Sequence, residues 1–152
     1  MPFDPVLLLD TKAWFRKVAI DLRSAEADLV ATPPILEDVV FHCQQAAEKA
    51  IKGFLTYHQQ PFGKTHDIRE LGKACVPCEP ALAALLERAM PLTWYAWRFR
   101  YPGSPDEPTL DETREALAIA RELVAALLSR LPEEVGQTGL MPGGHGGPDM
   151  DY

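Results

Sequence analysis

The chain has 152 residues, 47% of them hydrophobic and 24% charged, with a formal net charge of -7. That length suits one domain with its own core, needing neither a disulfide nor a metal staple. Residues 1–131 carry 18 acids against 15 bases, and a mildly acidic body of this kind excludes bulk, sequence-independent DNA binding, which requires a basic face.

The opening MPFDPVLLLDTKAW has an aspartate beside a short apolar run and no basic residue before it, a poor fit to a signal peptide. No stretch approaches the roughly 18 uninterrupted apolar residues of a membrane span, so no membrane contact is expected. Cys43, Cys75 and Cys78 are an odd number of cysteines, which predicts reduced thiols and a cytoplasmic location.

Helical spacing then runs through the chain with no alternating strand pattern. Residues 11–30 set Trp14, Val18, Leu22, Ala25 and Leu29 three and four apart, and Thr32-Pro33-Pro34 ends that helix. Asp21 lies at the edge of this apolar row and predicts an interhelical ion pair with Arg98 or Arg100. Residues 35–58 form the longest helix, with Val39, Cys43, Ala47, Ala50 and Phe54 on one face. His42, Gln45, Lys49 and Lys52 share a stripe nearly opposite, which reads as a solvated outer face. A Glu48–Lys52 pair on that face would contribute about 0.2–0.5 kcal/mol.

Thr65 is placed to cap a short helix from about His66 to Ala74. Lys64-Thr65-His66-Asp67 also puts a titratable imidazole at a helix start, but no serine or cysteine nucleophile is paired with it. Cys75-Val76-Pro77-Cys78 lacks the second ligand pair of a zinc site and the βαβ context of a redox motif, so no metal is assigned. Residues 79–90 resume a helical pattern, and Pro91 can open a further short helix carrying Tyr95-Ala96-Trp97-Arg98-Phe99-Arg100-Tyr101. Trp94, Trp97 and Tyr101 fall three and four apart, which predicts that much of this aromatic mass is core. Thr109-Leu110-Asp111-Glu112 reads as a capping box opening a helix over 111–131. Beyond it, residues 132–152 form a Gly/Pro-rich acidic tail expected to be flexible. The pattern predicts an all-α protein, an antiparallel up-and-down bundle of about five helices, with 1–131 as its domain. Glycine-rich phosphate loops, nucleophile elbows and HExxH zinc motifs are absent.

Four segments together resemble the HEPN domain, the higher-eukaryote and prokaryote nucleotide-binding family. They are the first helix with Trp14, Ala19, Asp21, Leu22 and Ala25; Phe41-His42-Cys43-Gln44-Gln45-Ala46-Ala47-Glu48-Lys49 with Lys52; Thr65-His66-Asp67 with Leu71; and Arg100-Tyr101-Pro102. The likeness covers residues 11–131. It implies a helical bundle, often a homodimer, similar to the substrate-binding domains attached to some nucleotidyltransferases. Many members are encoded beside a minimal nucleotidyltransferase, with which they form a toxin–antitoxin pair. Members that are RNases carry an Arg, four to six residues, then a His. No histidine of this chain follows an arginine at that spacing, so no catalytic residue is assigned.

The expectation is a non-catalytic protein that binds a nucleotide such as ATP or AMP, a cognate minimal nucleotidyltransferase, or both. Candidate contact residues are Arg98, Arg100, Tyr101, Lys49, Lys52, Lys64 and His66, with Lys49 and Lys52 facing a dimer groove or partner. The alternatives are a divergent HEPN ribonuclease toxin, using Arg98 or Arg100 with His66 or Tyr101, and a structural dimerisation module without a ligand.

Overall fold

In the computed structural model, Asp4 starts the first helix, α1 (Pro5–Val30), well ahead of residue 11, where the apolar spacing begins. Its carboxylate accepts hydrogen bonds from the amides of Val6 and Leu7, and Pro5 is tolerated because a first-turn residue has no helical amide bond to lose. The structure describes residues 4–103 and 106–137; the remainder of the predicted tail, 138–152, lies outside the described residues.

The short link 31–35 returns the chain to α2 (Leu36–Tyr57), which packs along α1. α2 also touches the later helices α3 (Ile68–Cys75), α5 (Pro91–Arg98) and α6 (Leu110–Leu128). Thirteen of its 22 residues are buried, so α2 is the central helix and has no broad solvated face. Val39, Cys43, Ala47, Ala50 and Phe54 lie inside as the spacing predicts. Gly53 lets α1 approach closely: a Cβ there would stand 2.8 Å from Phe15 Cε2 and 2.9 Å from Trp14 Cβ.

α3 begins two residues later than the sequence predicts because Asp67, not Thr65, is the cap. Its carboxylate accepts from the Arg69 amide at 2.9 Å, while Thr65 Oγ1 accepts from the Asp67 amide at 3.1 Å and shapes the turn before it. A 3-10 turn at Pro80–Leu82 leads into α4 (Ala83–Ala89), and Pro91 opens α5 after a single intervening residue. The capping box of α6 forms as predicted, with Thr109 Oγ1 accepting from the Glu112 amide and Glu112 Oε1 from the Thr109 amide. Leu117, Ala120, Val124 and Leu127 are buried, and Leu131 is half-buried. A final 3-10 turn, Glu133–Gly136, seats fully buried Val135 near α1 and α6. The described residues are helical and contain no strand: three long helices and three short ones form the predicted all-α bundle.

The aromatics of α5 overturn one expectation. Trp94, Trp97 and Tyr101 are 69%, 52% and 61% exposed. Leu92 and Phe99 are buried instead, with Tyr95 stacked on Phe99 at 6.1 Å. Both rows have helical spacing, and spacing defines a face without saying which way it points. The aliphatic-led row took the core.

Gly53→Ala should lower stability by about 1–3 kcal/mol in chemical denaturation, because the overpacked contact outweighs alanine's better helix propensity.

Candidate functional site

A helix surrounded by others must bury some of its polar residues, and each then needs a partner. On α2 they separate into two clusters. Toward α1, buried Asp21 accepts from Lys49 Nζ at 2.6 Å and meets His42 Nδ1 at 3.0 Å. The predicted pairing of Asp21 with Arg98 or Arg100 is therefore incorrect. Lys49 rises from α2 beside α1 and is the nearer cation, Arg98 binds Asp106 at 3.1 Å, and Arg100 lies against Phe41.

Toward α3, Glu48 is buried with Gln44 and Lys52 on the same row. Its Oε1 accepts from Lys52 Nζ at 2.7 Å and from His66 Nδ1 at 2.8 Å, and its Oε2 accepts from Gln44 Nε2 at 2.8 Å. Burial pushes the carboxyl pKa up, but the hydrogen bonds from Lys52, Gln44 and His66, with the Lys52 charge, outweigh it and hold Glu48 below its ordinary value. An ionised Glu48 only accepts, so His66 Nδ1 carries the proton and Nε2 is the ring nitrogen left for other contacts. Lys52 Nζ also sits 5.9 Å from both the Trp14 and Phe62 rings. The expectation that Lys49 and Lys52 face a dimer groove or partner is thus corrected. Lys52 is buried in the Glu48 cluster, Lys49 is half-buried on Asp21, and the Glu48–Lys52 pair is interior.

Above this cluster lies a cleft of about 330 Å³ lined by Phe41, Gln44, Gln45, His66, Trp97, Arg100 and Tyr101. The Arg100 guanidinium carbon stands 3.9 Å from the Phe41 ring centroid, a stacked cation–π contact. Trp97 and Tyr101 stack at 6.3 Å with planes 20° apart. A wider groove of about 830 Å³ shares His66 and Trp97 with the cleft and adds Lys64, Thr65, Asp67, Glu70, Thr93 and Trp94. Of the residues singled out in the sequence, His66, Arg100 and Tyr101 meet in the cleft, with Lys64 in the adjoining groove. Arg98 is directed to Asp106 and is not among the cleft residues.

Sequence reasoning missed Phe41, Gln44 and Trp97 as cleft residues and placed Gln45 on a solvated stripe. The spacing Gln44–Glu48–Lys52, one helical turn apart each time, was a readable signal of a second polar row. Cys43 and Cys75 are buried and offer no reactive thiolate. Burial pushes the thiols of Cys43 and Cys75 up to about 12, partly offset by Arg121 at Cys43 and reinforced by Cys78 at Cys75. Both are neutral at physiological pH. Among the described residues, no three His, Cys, Asp or Glu side chains are grouped to hold a metal ion, and no helix is long and apolar enough to cross a membrane.

In comparison with known proteins, a family model described as HEPN domain matches residues 11–131. No curated protein and no solved structure matches the chain.

Glu48→Ala, which strands Lys52 in the interior, should cost about 3–5 kcal/mol in urea unfolding. The depressed Glu48 pKa also fixes the sign of an acid effect. Its stabilisation is complete above the ordinary value of 4.5 and is lost as pH falls through the lower folded value. Denaturation of Glu48→Gln should therefore vary less with pH below 4.5 than that of the wild type.

Proposed function

The chain belongs to the HEPN domain family, and from that premise we propose that its cleft binds a nucleotide, such as AMP or ATP, without catalysing a reaction on it. The observation that carries this reading is the convergence of Arg100, His66 and the Trp97–Tyr101 stack on one cleft. Flat aromatic surface suits a base, and a guanidinium suits a phosphate through charge-assisted, paired hydrogen bonds. Arg100 is already held against Phe41, so less freedom is lost when an anion arrives. Lys64, in the adjoining groove, would meet further phosphates.

Trp94, exposed beside the cleft, would serve a protein contact. We assign that contact to a cognate minimal nucleotidyltransferase in a toxin–antitoxin type of pair, or to a second copy in a homodimer. Co-purification with such a partner, lost on Trp94→Ala, supports that part of the proposal.

A second reading, a divergent ribonuclease, is favoured by one specific observation: His66, with its tautomer fixed by Glu48, lines the same cleft as Arg100. RNA cleavage that disappears in His66→Ala would establish it. Intact RNA in the presence of folded wild-type protein leaves the binding reading.

Arg100→Ala should weaken AMP or ATP binding by roughly tenfold to a hundredfold in calorimetry, the equivalent of a charge-assisted hydrogen bond of about 1.5–3 kcal/mol. The circular dichroism spectrum should not change, since Arg100 is exposed. Absence of binding heat for every nucleotide with the folded wild type would overturn the proposal.

A further inference from the structure

The direction of every amide in the Glu48 cluster follows from one charge. An ionised carboxylate accepts hydrogen bonds and does not donate. Gln44 must therefore turn its NH₂ to Glu48, and that nitrogen also lies 3.5 Å from the His66 carbonyl oxygen. Both neighbours are acceptors, so Gln44 Oε1 is directed away from them and accepts from Gln45 Nε2 at 2.7 Å. Turning the Gln45 amide over would set two carbonyl oxygens against each other at that distance. Gln44 is 1% exposed and Gln45 is half-buried, so the relay starts in the interior and ends in the cleft. Its last group is Gln45 Oε1, an acceptor that no donor among the described residues satisfies, on an amide whose nitrogen has donated one of its two hydrogens to Gln44.

We propose that Gln45 reads the nucleobase and that the cleft takes adenine in preference to the 6-oxo purines. The inference rests on nucleotide binding in this cleft. A glutamine amide meets adenine with two hydrogen bonds, its oxygen accepting from the N6 amine and its nitrogen donating to the neighbouring ring nitrogen. The pair read here is N6–H with N7, the edge on which adenine and the 6-oxo purines differ in donor–acceptor pattern. Hypoxanthine and guanine carry an oxygen at position 6. On the N7 edge they set the 6-oxygen against the Gln45 oxygen, whereas N1–H and the 6-oxygen on the other edge would pair with the same amide, so the inference commits to the N7 edge. Because Glu48 fixes the amide from behind, Gln45 cannot rotate to suit the oxo base without breaking the relay. A base resting on the Trp97–Tyr101 surface with its edge at Gln45 leaves its phosphate for Arg100 on the same cleft. Gln45 is thus a specificity-determining residue.

The test compares AMP with IMP, which has the same size and phosphate and differs at the purine 6-position and N1. Calorimetry on the full-length wild type should give at least about a tenfold tighter Kd for AMP, the discrimination of one paired base contact. Gln45→Leu should bring AMP down to the IMP affinity and leave IMP within about twofold. Equal binding of AMP and IMP to the wild type overturns the inference while leaving nucleotide binding intact, and so does an AMP preference that survives in folded Gln45→Leu. If neither nucleotide binds the folded wild type, the binding reading fails and this inference falls with it. The wild-type comparison needs no variant, so the inference stays testable if Gln45→Leu does not fold.

Discussion

A carboxylate set among apolar helices is tolerated only if donors surround it, and Glu48 gathers three: Lys52, His66 and Gln44. Each comes with its own structural consequence. Lys52 is held on the same helix one turn away, beside the Trp14 and Phe62 rings, which pack edge-on against each other. His66 ties the loop before α3 to the middle of α2. Gln44 carries the polarity of the carboxylate outward to Gln45. Removing the charge would therefore unsettle the core, the loop and the floor of the cleft together, because a half-satisfied polar network is worse than none.

The same central position of α2 explains why its two faces differ in character. Against α1 the contact is close enough that Gly53 must lack a Cβ, and the polar residues on that side are closed into a lock by Asp21 with Lys49 and His42. Against α3 and α5 the helices are short, and their packing leaves a cleft where the second polar row surfaces. Rigidity and access are thus divided between two neighbouring polar rows of one helix, about 110° apart around its axis. A site built on a long, well-packed helix holds its side chains more precisely than one built on loops alone.

The sequence carried the bundle almost completely: apolar spacing located the three long helices, Pro91 marked the start of α5, and the Thr109–Glu112 box marked that of α6. What it could not carry was facing. Along α2, polar residues opposite the apolar row read as solvated, yet Glu48 and Lys52 are buried because other helices cover that side. Along α5, two rows of aromatic and aliphatic residues share the same spacing, and only assembly decided that Leu92 and Phe99 go in while Trp94 and Trp97 stay out. Helix starts were less legible where two caps compete, as with Thr65 and Asp67. Of the cleft, Arg100, Tyr101 and His66 were legible as residue types, and Phe41 and Gln44 were not, because nothing local to them shows what they face.

The exposed aromatics change how the arginines beside them are to be read. Two large rings left in water at the end of a short helix forgo a substantial burial gain, about 25 cal/mol for each Å² left uncovered, and a face of that kind marks an interaction surface. Arg98 and Arg100 stand only two residues apart, yet they diverge: Arg98 is engaged by Asp106, whereas Arg100 lies over Phe41 and lines the cleft. That divergence separates a surface ion pair, which contributes little to stability or recognition, from a pre-positioned guanidinium next to stacking surface. Recognition of an anion attached to a flat ring requires both elements on one wall, and α5 supplies them from a single turn and the residues that follow it. The absence of a histidine just beyond Arg100 removes the family's sequence signature for RNA cleavage, but it takes nothing from this arrangement. The proposed binding depends on charge, planarity and a fixed amide, and α2 holds two of these, through Phe41 under Arg100 and through the Gln44–Gln45 relay.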